Sequence, residues 1–222
     1  MLEIAVLFGL GALTLKNMKP RDEENVIVPR KISERLGKLW DIAHQGMRDQ
    51  RFARAEKALL TILKIDKKNA AAYNRLGILY AKQKEYKDSI DCFEIASSIE
   101  PTASSLHNLG LIYYETENYE RAAVAFEQAL KLEDDLAARH IAYAKVQEKL
   151  DNKKTMLKEL KRAVEIEPTR ESYSLLRDAY ASLGMQAEAD QIEDKLKRMR
   201  KKRKTNNQAP KKSVKRPRKV VI

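Results

Sequence analysis

Two short runs, LGILY at Leu76–Tyr80 and LGLIY at Leu109–Tyr113, each set a glycine inside an apolar stretch with a tyrosine three residues later. The two glycines, Gly77 and Gly110, stand 33 positions apart in a chain of 222 residues that holds only seven glycines. Glycine inside a helix is worse than alanine by about 1 kcal/mol. That cost is met twice in the same local setting, so one packing requirement recurs along the chain.

The recurrence extends well beyond these runs. From about Ile32 to Lys201, apolar residues return at i, i+3 and i+4, with breaks every fifteen or so positions, which predicts successive helices. Units can be started at Leu36, Ala70, Ala103, Ala137 and Arg170, with steps of 34, 33, 34 and 33. Their eighth places hold Ala43, Gly77, Gly110, Ala144 and Arg177. Their twentieth places hold Ala55, Ser89, Ala122, Met156 and Ala189, and their twenty-fourth Leu59, Phe93, Phe126, Leu160 and Glu193. This alternation predicts two antiparallel helices per unit, with Gly77 opposite Ser89 and Gly110 opposite Ala122. A missing side chain on one helix lets the ridge of the other drop in. Tyr73, Tyr80 and Phe93 are expected to fill the space between that pair and the next. A single unit cannot bury both faces, so units must stack. Arg177 and Glu193 break the pattern in the last unit, where one side meets water.

The pattern resembles the tetratricopeptide repeat (TPR), whose period is 34. The resemblance covers roughly residues 36–200 and is strongest in the units starting at Ala70 and Ala103. It implies an all-α fold, a right-handed superhelical solenoid of TPR-type helix pairs. It also implies a concave groove lined by the first helix of each unit at its second, fifth, sixth, ninth and twelfth places, where the family holds a peptide or helix of a partner protein. The candidates at such places are Asn74, Arg75, His107, Asn108, Leu111, Tyr114 and Lys145. Side-chain amides suit a peptide backbone, and Lys145 suits a carboxylate. One subfamily grips the terminal carboxylate of chaperones with Lys, Asn and Arg at fixed places. Here Trp40, Asn74 and Ile141 stand where such clamp residues belong, so chaperone-tail binding is not expected.

Other chemistry finds little support. Cys92 is the only cysteine, which excludes an intrachain disulfide and cysteine-pair metal sites. His44, His107 and His140 come from three different units, with no carboxylate or cysteine at ligand spacing, so no metal is expected. No phosphate-cradling glycine loop, nucleophile elbow or paired-carboxylate motif stands out. The expectation is a non-catalytic scaffold without cofactors; oligomeric state is open.

The net charge of +12 is unevenly spread. From Lys195 to Ile222 there are 14 of the 44 Lys and Arg and no Asp or Glu, leaving 30 basic against 32 acidic residues in 1–194. The expected organisation is an apolar segment at 1–15, a linker at 16–31, the repeat array at 32–200 and a basic disordered tail at 201–222. Polyanion-binding candidates are Lys197, Arg198, Arg200, Lys201, Lys202, Arg203, Lys204, Lys215, Arg216 and Arg218, directed at RNA, a ribosome or anionic lipid. Nuclear import is a further reading of the same tail. An RNA- or ribosome-associated factor is therefore the alternative to the scaffold. The uncharged run from Ile4 to Leu15 would span about 18 Å as a helix, against about 30 Å of hydrocarbon. No basic residue precedes it and no cleavage signature follows, so residues 2–15 are read as a membrane anchor. Lys16, Lys19 and Arg21 follow it, which predicts a single-pass membrane protein with its repeats in the cytoplasm, the alternative being a cytoplasmic protein.

Overall fold

The computed structural model describes residues 30–208, with side chains placed for residues 31–201. Among the described residues there are ten α-helices and no strand. They are α1 (Arg30–Arg48), α2 (Phe52–Ile65), α3 (Ala70–Gln83), α4 (Tyr86–Ile99) and α5 (Ala103–Glu115). Then come α6 (Tyr119–Leu132), α7 (Ala137–Lys149), α8 (Lys153–Ile166), α9 (Arg170–Ser182) and α10 (Gln186–Gln208). They pair as five antiparallel hairpins, α1/α2 through α9/α10, and each hairpin docks on the next. First helices also meet across units, α3 with α5 and α5 with α7. First helices thereby line the inner side of a right-handed solenoid.

Each hairpin closes in the same way. The fifteenth place of every unit adopts the left-handed conformation: Gln50, Lys84, Glu117, Asp151 and Gly184 have φ of 58°, 65°, 59°, 55° and 73°. The next residue donates its backbone N–H to the carbonyl of the eleventh place, as in Glu85 to Tyr80 at 2.9 Å and Asn118 to Tyr113 at 2.8 Å. This wide bond and the left-handed residue together cap the first helix and turn the chain into the second. Second helices end without glycine, and some of the following first helices begin at side-chain caps. Asn69 accepts from the Ala72 N–H at 2.9 Å, while Thr102 with Ser105 and Thr169 with Ser172 form reciprocal boxes.

The core of each hairpin rests on the contact between its eighth and twenty-fourth places. A Cβ added at Gly77 would lie 2.8 Å from the Phe93 ring, and one at Gly110 would lie 2.9 Å from the Phe126 ring. Both rings are buried, at 1% and 0% exposure. The Ser89 hydroxyl donates to the Gly77 carbonyl at 2.9 Å, so that expected pairing also forms. The space above the glycine, however, is filled by the phenylalanine four residues further on, a ring that the repeat pattern assigns to the space between units. In the first unit the closest approach is at Gly46, where a Cβ would lie 3.0 Å from both Cβ and N of Ala55. Ala43 with Leu59, and Ala144 with Leu160, answer a small residue with a medium one inside shared buried clusters. In the last unit Arg177 and Glu193 fill the two places with a 2.8 Å ion pair, both side chains about 30% exposed.

Between units, the eleventh-place tyrosines reach back. The Tyr80 hydroxyl donates to Glu56 at 2.8 Å, and the Tyr113 hydroxyl donates to Glu94. Arg121 pairs with the same Glu94 at 2.6 Å and stacks 4.5 Å above the Tyr113 ring. Burial, followed by the carboxylate partner, drives both phenols well above their ordinary pKa, which keeps them protonated as donors.

The expectation of a single-pass membrane protein is not upheld. Among the described residues no helix is long and apolar enough to cross a membrane. The segment 2–15 on which that expectation rested lies outside the described residues, and its uncharged run falls short of a bilayer by about 12 Å on length alone.

The glycine–ring contact predicts that Gly110→Ala destabilises the chain by about 1–3 kcal/mol through overpacking. Gly37→Ala should instead stabilise it by up to about 1 kcal/mol, because nothing lies within 4 Å of that position. Urea melts of the two variants read the opposite signs. The strained turns predict that Lys84→Gly and Glu117→Gly each raise stability by up to about 1 kcal/mol, since an L side chain is disfavoured there. Calorimetry measures the gain.

Candidate functional site

The inner side carries a cleft of about 430 Å³ between α5, α7 and the start of α9. Its floor is apolar, built by His107, Leu111, Phe126 and Ile141, and its rim carries Glu115, Lys145, Glu167 and Glu171. The register of the hairpins explains why these meet. His107 and Ile141 are fifth places of consecutive units, Leu111 and Lys145 are ninth places, and like places on neighbouring first helices sit side by side. Leu111 remains 39% exposed, high for a leucine on a packed helix. None of the four rim charges makes an ion pair within the described residues.

Of the seven groove residues expected from the sequence, the cleft gathers His107, Leu111, Tyr114 and Lys145. Arg75 lies elsewhere, in a recess of about 650 Å³ shared with Asp41, His44 and Arg48 near the first unit. Asn74 and Asn108 line neither cavity. Asn74 is nevertheless matched to His107, since both are fifth places. The Asn74 Oδ1 and His107 Nδ1 atoms are each buried without a hydrogen-bond partner among the described residues. Leaving a buried acceptor unpaired costs about 1–3 kcal/mol.

Burial first, and the nearby Arg139 second, lower the His107 pKa, so its ring is neutral at pH 7. The ring packs edge-on against Phe126 at 5.3 Å between centroids. His140 does have a carboxylate partner, which sequence spacing alone does not reveal. Its Nδ1 lies 2.7 Å from Glu159 Oε2 and its Nε2 lies 2.9 Å from the Asp134 carbonyl, with both side chains buried. The partner comes from α8, nineteen residues away. This pair ties α7 to α8 where other units use Tyr or Leu, and it faces away from the cleft. Cys92 is buried in the first core cluster, and burial pushes its thiol up to about 11.

Of the polyanion candidates, Lys197, Arg198, Arg200 and Lys201 are exposed on α10, with Lys197 held 3.3 Å from Asp194. Lys202, Arg203 and Lys204 continue that helix, and Lys215, Arg216 and Arg218 lie outside the described residues.

Stacked helical hairpins with an inner cleft define an α-solenoid of repeat type. Residues 68–133 match the family model described as Tetratricopeptide repeat, so that stretch carries tetratricopeptide repeats. Solved structures agree on the fold. A MamA crystal structure superposes with a TM-score of 0.70 at 20% identity, covering 80% of this chain and 97% of that one. MamA 41-end from Desulfovibrio magneticus RS-1 gives 0.69 at 13% identity, covering 76% and 96%. YrrB, described as a TPR protein with an unusual peptide-binding site, gives 0.61 at 19% identity, covering 69% and 80%. At these identities the likeness shows the fold alone. No curated protein sequence matches the chain.

A lowered histidine pKa means that the folded chain binds its proton less readily than the unfolded chain. The associated stability is present above the ordinary histidine range, near pH 6.5, and is lost as pH falls through the lower folded value. Thermal melts between pH 7 and pH 5 should show this loss, and His107→Gln should flatten the slope.

Proposed function

We propose that this protein is a non-catalytic interaction scaffold that holds a segment of a partner protein along its inner groove. The carrying observation is the cleft of about 430 Å³ on the inner face, with an apolar floor and unpaired charges on its rim. That volume falls in the range of ordinary ligand pockets and suits one or two apolar side chains. An anchor buried there, ringed by polar contacts, is how a small number of residues come to dominate the affinity of such surfaces.

Two further features support a peptide occupant. A neutral His107 is able to accept a hydrogen bond from a backbone N–H, which a protonated ring cannot do. The similar protein YrrB is described as having an unusual peptide-binding site, which favours a peptide as the kind of occupant here.

A photo-crosslinking amino acid at position 111, followed by mass spectrometry on the intact protein in its own cells, identifies the occupant. Leu111→Glu and Ile141→Glu should each weaken capture by about tenfold or more, a loss of at least about 1.4 kcal/mol. Val124→Asp, at a 54% exposed position on the second helix α6, should leave capture unchanged. Capture that survives both groove substitutions would remove this function.

A further inference from the structure

We infer that the cleft is occupied, when no partner is present, by the chain's own basic segment 211–219, KKSVKRPRK, with Val214 as its apolar anchor. The inference rests on the reading of the cleft as a peptide site and names an occupant for it.

Charge carries the first part. Glu115, Glu167 and Glu171 are exposed on the rim and none is paired within the described residues, so the cleft presents three free carboxylates against the single ammonium of Lys145. The segment 211–219 has six Lys and Arg, no acidic residue, and one apolar side chain, Val214, between Lys212 and Lys215. An apolar floor with an acidic rim fits a short apolar side chain with cations on either side. It does not fit an acidic or wholly polar strand.

Position carries the second part. Helix α10 runs antiparallel to α9, with Arg177 paired to Glu193 at 2.8 Å and Lys195 Nζ 5.7 Å from the Tyr173 ring. Following that register, Lys197–Lys201 come level with residues 167–171, which form the near rim of the cleft. Beyond Lys201 the helix continues to Gln208, adding about 10 Å at 1.5 Å per residue. From Gln208 to Val214 is six residues, an extended reach of about 20 Å. Helix α10 therefore leaves the array at the end where the acidic rim stands, and the chain that follows it is long enough to turn back onto that rim.

The test uses the full chain carrying Ser213→Cys with a nitroxide label. Cys92 is buried, and its thiol is pushed up to about 11, so labelling at pH 7.5 falls on position 213. The expected result is loss of the Leu111 and Ile141 methyl signals through paramagnetic broadening, while methyls of the first unit, such as those of Leu59, stay sharp. The broadening should vanish at about 1 M salt, where the screening length is about 3 Å. It should also vanish in the Glu115→Gln, Glu167→Gln, Glu171→Gln triple variant and in Val214→Asp. Cleft methyls that stay sharp overturn the proposal, as does broadening that grows with protein concentration, which would mean a second copy. Sharp methyls together with intact partner crosslinks at position 111 would remove the tail as occupant and leave the groove function standing. Broadened methyls without any partner crosslink would support the tail and count against the partner.

Discussion

The contact that the rest of the structure depends on joins the eighth and twenty-fourth places of each hairpin. In the two central units it is a glycine beneath a phenylalanine ring, with the ring so close that a single added carbon would lie under 3 Å from it. A large side chain on one helix needs the absence of one on the other, because interiors are packed near crystalline density and cannot absorb an extra methyl group. The outward units answer with Ala and Leu, and the last with Arg and Glu. Gly with Phe and Ala with Leu trade size between the two helices, whereas Arg177 and Glu193 together are larger and stay partly exposed. When the pair no longer faces another hairpin, it becomes an ion pair that water can reach.

From this contact follows the rest of the architecture. Hairpins of one geometry, each closed by the same left-handed turn, stack at constant steps, and constant steps make a solenoid. Tyrosines at the eleventh place of the second and third units then bind each of these to the unit before it, through Glu56 and Glu94. A solenoid of first helices inside and second helices outside brings like places into rows. The cleft is where the fifth-place row carries His107 and Ile141 and the ninth-place row Leu111 and Lys145, against Asn74 and Ile78 at the same places of the second unit. Function, on this view, is a local choice of side chains on a periodic frame.

How far the sequence discloses this depends on the range of the interaction. Helices, unit boundaries and groove-facing places follow from periodicity, because a 33- or 34-residue step places equivalent residues in equivalent surroundings. The clustering of His107, Leu111, Tyr114 and Lys145 was within reach of that logic. Two features were not. The left-handed residues at the fifteenth place are Gln, Lys and Glu in three of five units, types that carry no turn signal, so only the backbone reveals them. The His140–Glu159 pair joins two helices through a 2.7 Å contact, and charged residues are too common on helix surfaces for spacing to single it out.

The amino-acid order by itself determined the class of fold, since an apolar pattern repeating at this period can bury its faces only by stacking hairpins. It also determined which faces are small and which are large. Tertiary structure decided what meets what: that Phe93 and not Ser89 covers Gly77, that Asn74 and His107 are left with unpaired acceptors, and that Glu167, closing the fourth unit, and Glu171, opening the fifth, rim a cleft floored from the third and fourth. These are matters of a few tenths of an ångström or of distant segments converging. Periodicity fixes a residue's place within its unit, but only packing fixes its neighbours.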